Sequence, residues 1–370
     1  MTDLFAPLDL AGGTSRNRIG MSPMCQYCAA DDGRVTDWHM AHLLQRAVGG
    51  AGLVITEVAA ITRDGRITPG DLGFWEDSQF DGHARLAAAI AHAGALPGIQ
   101  IGHAGRKASR GAPWNDGPAV PSWPTLSASP VPMGNFAVPA AMTVAEIEGV
   151  IEAFAETAAR AARAGYRIIE LHGAHGYLLH QFLSPLSNHR DDAWGGDFAG
   201  RTRLLLEATR AVKAVLPADV SLWVRISHTD WIEGGWTTDD TIRVSALLKD
   251  LGVEAMDVSS GGIDPSQRIP VGPGYQVPGG RAVRQATGML TASVGMITEP
   301  AQAAAIVADG DADMVLLARA LLRDPYWPLR AAAALGRLDA ITVAPQYERG
   351  WNALGRIAMD RAAAEAMPPV

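Results

Sequence analysis

The chain has 370 residues, with 31 Lys plus Arg against 39 Asp plus Glu and a formal net charge of −8. That acidic balance argues against nucleic acid or an anionic membrane surface as a partner, and no apolar run reaches the roughly 18 residues of a membrane span. Apolar residues make up 48 %, enough for one large core, while two cysteines, Cys25 and Cys28, exclude a disulfide framework, so a cytoplasmic protein is expected.

Short apolar runs alternate with longer helical patterns along the whole chain. The candidate strands are 18–24, 52–58, 97–101, 166–172, 220–226, 255–259, 289–294 and 313–317. They are near-continuously apolar rather than alternating, as a sheet buried on both faces requires. Thr143 with Glu146 opens a helix by a capping box, and an Ala-rich stretch follows to about Ala164, closed by Gly165. Ser78 with Asp81 and Thr237 with Asp240 read as similar starts, and Glu299-Pro300 places proline in a first helical turn.

Eight strands alternating with helices predict a (β/α)8 TIM barrel over residues 1–340. A doubly wound sheet is the competing architecture, but no Gly-x-Gly-x-x-Gly follows the first strand. One segment breaks the alternation. Residues 102–141 are rich in Pro, Gly, Ser and Trp and too long for an ordinary loop, which predicts a functional excursion or a cover over the barrel mouth. Residues 341–370 form a distinct C-terminal segment.

Barrel chemistry sits at the C-terminal ends of the strands. The richest of these follows the fourth strand, where His172, His175 and Tyr177 alternate with Gly173 and Gly176. Two neutral imidazole N–H groups aimed at one point would hold a carbonyl or nitro oxygen, and a phenol could donate a proton. A buried polar turn is the plainer reading of the same residues. Gln100 and Arg225 end otherwise apolar strands and need partners, which a hydrogen-bonding ligand or a nearby acid would supply. Gly295 and Arg319, after the seventh and eighth strands, suit a phosphate, or ordinary turn chemistry and a surface ion pair. Cys25-x-x-Cys28 reads as a dithiol, half of a zinc site, or one working thiol with Cys28 incidental; the third is favoured.

Taken together, 21–27 (Met-Ser-Pro-Met-Cys-Gln-Tyr), 103–107 (His-Ala-Gly-Arg-Lys) and 172–177 (His-Gly-Ala-His-Gly-Tyr) resemble the Old Yellow Enzyme family of flavin ene-reductases. Residues 183–190, 294–298 and 321–325 match as well, and Cys25 with the ending 346–351 resembles its YqjM-like, or thermophilic-like, subclass. The resemblance implies bound FMN, NADPH or NADH as co-substrate, and reduction of activated C=C bonds in small enones, enals, maleimides and nitroalkenes. It implies that Pro23, Met24 and Val58 line the flavin, and that Gln100 and Arg225 bind its pyrimidine edge. Gly295, Ala318 and Arg319 would hold its phosphate, and Cys25 would tune its potential. His172 and His175 would bind the substrate oxygen, Tyr27 would touch the substrate, and Tyr177 would protonate the α-carbon after hydride reaches the β-carbon. Arg349, with Trp351 beside it, would reach a neighbouring subunit's site, which implies a homodimer or homotetramer. Ala318 and Val58 depart from the family's usual residues, and the chain runs on past Trp351. A metal-dependent barrel hydrolase or aldolase built on His172 and His175 is the alternative; no metal is expected.

Overall fold

A computed structural model describes residues 2–114 and 123–351. Eight parallel strands close into a barrel: β1 (Ile19–Met21), β2 (Leu53–Ala60), β3 (Leu96–Gly102), β4 (Ile168–Gly173), β5 (Ser221–Ser227), β6 (Ala255–Ser259), β7 (Leu290–Ser293) and β8 (Met314–Leu317). Each pairs with its sequence neighbours, and β8 returns to β1, with Val315 opposite Ile19 and Leu317 opposite Met21. The predicted TIM barrel is therefore the observed fold. Every predicted strand overlaps an observed one, because a run apolar on both faces has no other way to be buried.

Eight helices surround the barrel: α1 (Asp37–Val48), α2 (Phe80–His92), α3 (Val144–Arg163), α4 (Phe198–Val215), α5 (Thr238–Asp250), α6 (Val277–Thr287), α7 (Pro300–Ala308) and α8 (Trp327–Ala334). The boxes at Thr143 and Thr237 form as expected; Thr143 Oγ1 accepts the Glu146 N–H while Glu146 accepts the Thr143 N–H. Gly165 takes a left-handed φ just beyond α3. Ser78 is not a cap. A 3-10 turn at Asp77–Gln79 precedes α2, its reciprocal bonds run between Glu76 and Gln79, and Ser78 Oγ donates to Glu76 instead.

An antiparallel ribbon, Leu8–Leu10 with Gly13–Ser15, covers the N-terminal end of the barrel. Its Leu8 and Leu10 pack on Leu53, Ile55, Ile168, Trp223, Ala255 and Met314 at the strand starts. Burying such apolar side chains contributes about 1.5–3 kcal/mol each and anchors the frame on which the opposite end is built.

In the excursion after β3, a short turn at Gly105–Lys107 is followed by a parallel ribbon of Leu126–Ser127 and Ala140–Ala141. Residues 352–370 of the C-terminal segment lie outside the described residues. Among the described residues no helix is long and apolar enough to cross a membrane.

Candidate active site

At the end of β4 the chain turns sharply. His175 and Gly176 take consecutive left-handed conformations, φ 58° and 71°. Residue 176 must be glycine, since a Cβ there would come within 2.2 Å of the Gly262 carbonyl oxygen. The turn gathers three rings: His172 and His175 centroids are 5.2 Å apart, and His172 and Tyr177 are 4.8 Å apart. His172 Nδ1 accepts the Ala174 N–H at 3.3 Å, which leaves the ring proton on Nε2. His175 Nε2 lies 2.6 Å from Ser259 Oγ, and that hydroxyl donates onward to Gln276 Oε1. The imidazole therefore donates to Ser259 in this structure. Burial first, then the nearby cations Arg225 and Lys107, holds both histidines well below the usual imidazole pKa, so both are neutral. Burial, reinforced by Cys25, Tyr27 and Asp71, raises the Tyr177 phenol well above its ordinary value, which keeps its proton on.

Lys107 stitches this turn to the excursion. Its ammonium donates to the His175 carbonyl at 2.8 Å and stands 4.9 Å from the Tyr177 ring centre. Gln181, on the short helix Leu178–Leu183, donates to Ala104 O and Gly176 O and accepts from Arg106 N and Ser127 Oγ. From below, His180 Nδ1 accepts the Gly176 N–H, and its Nε2 faces Asp230 at 2.9 Å.

Beneath the turn lies a layer of buried polar side chains. Gln100 Nε2 donates to Glu170 Oε1 at 2.8 Å, and Arg225 Nε stands 3.0 Å from Asp257 Oδ2. The Arg225 N–H is not aligned with that oxygen, so the contact is an ion pair rather than a formed hydrogen bond.

The loop after β1 carries Cys25 and Tyr27, both half-buried, against Val58, Ile67, Ala104 and Ala108 with Tyr177. Tyr27 takes a left-handed φ of 52°. Burial, Asp71 and Glu57 push the Cys25 pKa well up, so it stands as a thiol. A bulge in β2 leaves Glu57 out of the ladder between Thr56 and Val58. Freed from pairing, Glu57 accepts the Gln26 N–H and meets His39 Nε2 at 3.1 Å, while Val58 faces the cluster. Cys28 stands apart from Cys25, 3.5 Å from the same His39 nitrogen.

From His175 a cavity of about 330 Å³ runs past Arg225, Tyr275 and Gly295 to Arg319. Gly295 has φ 122°, and a Cβ would sit 2.8 Å from Gln276 Nε2. Ala318 also lines this cavity.

A model of the NADH:flavin oxidoreductase / NADH oxidase family matches residues 3–337. The chain is 46 % identical over 353 residues to an NADPH dehydrogenase of Geobacillus sp. (strain WCH70), a match covering 95 % of this chain and 99 % of that one. It is 41 % identical to an NADPH dehydrogenase of Bacillus subtilis (strain 168), with 94 % and 99 % covered. The solved old yellow enzyme homologue from Zymomonas mobilis superposes with a TM-score of 0.76 at 25 % identity, covering 89 % of this chain and 92 % of that one. The chain belongs to the NADH:flavin oxidoreductase / NADH oxidase family.

Members of this flavin oxidoreductase family carry FMN, and the residues here fit it. A phosphate needs a cation beside closely approaching backbone, and Arg319 with Gly295 supplies that at one end of the cavity. Arg225 lines the same cavity with its Nε held against Asp257 Oδ2, which leaves its terminal guanidinium N–H groups for a ligand. The family match also sets aside the metal-dependent hydrolase or aldolase. His172 and His175 join no metal-ligand cluster among the described residues; Cys28, His39 and Glu57 form the one that occurs. His39 Nδ1 accepts the Thr36 N–H at 2.9 Å, so its proton sits on Nε2 and points into that cluster, an arrangement for a hydrogen bond.

Arg349 and Trp351 do not reach this chain's own cavity. Arg349 is exposed, and Trp351 lines a separate cleft with Tyr326 and Tyr347. Pro23 and Met24 are half-buried just beyond β1. Sequence reasoning missed the roles of Lys107, Gln181, Glu170, Asp257 and Gln276. For the two acids the signal was present: a carboxylate inside an apolar strand needs a partner.

Proposed function

We propose that this flavoenzyme is an NAD(P)H-dependent ene-reductase acting on small activated alkenes: enones, enals, maleimides and nitroalkenes. The relatives named NADPH dehydrogenase favour NADPH as the reductant, with NADH as the second candidate. The observation that carries the reading is a neutral His172 imidazole set edge-on against both the neutral His175 and the protonated Tyr177 phenol, with His175 on the cavity wall. Gln100 and Arg225 bind the pyrimidine edge of FMN; Gly295, Ala318 and Arg319 hold its phosphate. Pro23, Met24 and Val58 line the ring, and Cys25 lies against it as a neutral thiol. FMN, when bound, supplies the hydride that is taken from NAD(P)H and given to the alkene.

The protein's residues do the rest. His172 offers its Nε2–H to the substrate oxygen. His175 joins it once its bond to Ser259 is exchanged for one to substrate. Each such donor stabilises the charge that grows on that oxygen by on the order of 3 kcal/mol. Tyr177 keeps its proton until the α-carbon becomes basic and then delivers it, while Lys107 above the ring favours the phenolate left behind. Tyr27, packed in the same cluster as Tyr177, is a second contact to the substrate. The active form is a homodimer or homotetramer in the cytoplasm, in which Arg349, beside Trp351, reaches into a neighbour's site.

The test is Tyr177→Phe with both half-reactions followed separately. Flavin bleaching by NADPH should persist while enone reduction slows about a hundredfold. Undiminished enone turnover would remove Tyr177 from the role. Charge reversal at Arg349 should weaken substrate binding only in the oligomer; a fully active monomer would end the trans-contact reading.

A further inference from the structure

The layer beneath the turn contains more acid than it can neutralise. Gln100, Glu170, Arg225 and Asp257 are 2 %, 0 %, 6 % and 0 % exposed. Register pairs Gln100 with Glu170 across β3 and β4, and Arg225 with Asp257 across β5 and β6. Two carboxyl groups therefore face one guanidinium in the barrel interior. Fully ionised, they would bury one uncompensated negative charge, which is among the costliest arrangements a core can hold. The hydrogen bonds show the same imbalance. Glu170 Oε2 and Asp257 Oδ1 have no N–H donor, although Glu170 Oε1 has the Gln100 amide. The two carboxyl groups contact each other. A single proton between them supplies the missing donor and cancels the surplus charge together.

We propose that Glu170 is held as a neutral carboxylic acid that donates to Asp257, and that this pair is the positioning element that fixes Gln100 and Arg225 toward the flavin. The proton belongs on Glu170. Asp257 is the member beside the guanidinium and is better placed to stay ionised, whereas Glu170 also accepts from Gln100 and gains from donating. Burial and the neighbouring acid push Glu170 upward, which agrees. The charged and titratable groups facing the pair are Arg225 and each other; Gln100 is the neutral neighbour. With the proton in place the layer is one carboxylate against one guanidinium. Asp257 holds the Arg225 stem, and the remaining guanidinium N–H groups are free to point at a ligand. The neutral acid anchors the Gln100 amide, whose carbonyl is then presented to the same ligand. The function of the pair rests on the proposed binding of the pyrimidine edge by these two side chains; the location of the proton does not.

The test separates those two parts. In the purified holoenzyme at neutral pH, infrared difference spectroscopy should show the carbonyl stretch of a protonated, hydrogen-bonded carboxylic acid. Glu170→Gln should remove that band. Glu170→Gln should also keep FMN affinity within about twofold of the parent and leave the flavin midpoint potential in place, because a glutamine donates to Asp257 and accepts from Gln100 as the neutral acid does. Glu170→Ala should weaken FMN at least tenfold. Absence of the acid band, or a Glu170→Gln protein that releases FMN tenfold more readily or shifts its potential, means that Glu170 is ionised and overturns the proposal. If Asp257→Asn folds, it should weaken FMN binding through a loosened Arg225. Should it fail to fold, the Glu170 variants and the infrared band still decide. Arg225→Lys tests the underlying reading separately. FMN affinity unchanged in that variant, with the acid band intact, would sink the pyrimidine-edge assignment while leaving the proton where it was placed.

Discussion

At the bottom of the barrel Leu53, Ile55, Ile168, Trp223 and Met314 meet Leu8 and Leu10, and the Trp223 indole N–H is satisfied by Ser221 at 2.8 Å. Higher in the barrel, Gln100, Glu170, Arg225 and Asp257 fill the interior with polar groups, and Glu170 and Asp257 keep oxygens that no N–H reaches. Both layers are buried, and β4 and β5 contribute to both. The lower layer gains free energy from every contact and asks for nothing else. The upper layer spends stability on holding polar groups in fixed places, which is useful only if something docks on them. The contrast also explains why chemistry collects at one end: a sealed apolar floor lets the opposite rim tolerate strain such as the left-handed His175 and Tyr27.

The sharpest way to break the contrast is to cut a hole in the floor. Trp223→Ala should cost about 4 kcal/mol in denaturant unfolding, while the fraction that remains folded binds FMN normally. Proportional loss of FMN affinity would mean that the layers are not separable. Acid attacks the frame by another route. His83 is fully buried, stacked on Phe74 and bonded to Tyr166, and burial lowers its pKa from 6.5 to about 4. The unfolded chain therefore binds a proton that the native one refuses. Stability should fall as pH drops from about 6.5 toward 4, by about 3 kcal/mol from this residue. His83→Gln should flatten that slope; an unchanged slope would assign it elsewhere. On the rim, Tyr177→Phe should remove about a hundredfold from turnover without moving the melting temperature, the mirror image of the floor variant. Smallest of all, Thr143→Ala should cost about 1 kcal/mol through the lost α3 cap, with catalysis untouched.

Much of this molecule was legible in its sequence, and the parts that were not share a cause. All eight barrel strands could be read because each is apolar enough to demand burial on both faces. His172, His175 and Tyr177 stood out because glycines punctuate them at a strand end. The floor ribbon of Leu8–Leu10 and Gly13–Ser15 did not, since three-residue strands with polar, glycine-bearing sequences are made by tertiary pairing alone. The Glu170–Asp257 contact needs a register between segments far apart in the chain, and Glu57 meets His39 only because of a bulge that no local pattern announces. At Ser78 the local rule misled: its hydroxyl turned to Glu76, and the real start of the element lay two residues earlier. The cysteine pair, adjacent on paper, parted company, Cys25 toward Tyr177 and Cys28 toward His39.

The seam between β1 and β8 has a consequence for how the protein is made. Ile19–Met21 leaves the ribosome almost a whole chain before Met314–Leu317, the strand that must lie beside it. Until then β1 is matched with β2 at only two positions, Gly20 with Leu53 and Met21 with Val54, and its other edge is open. The first barrel strand thus waits longest for its second partner, and the cylinder is sealed only once β8 has been made.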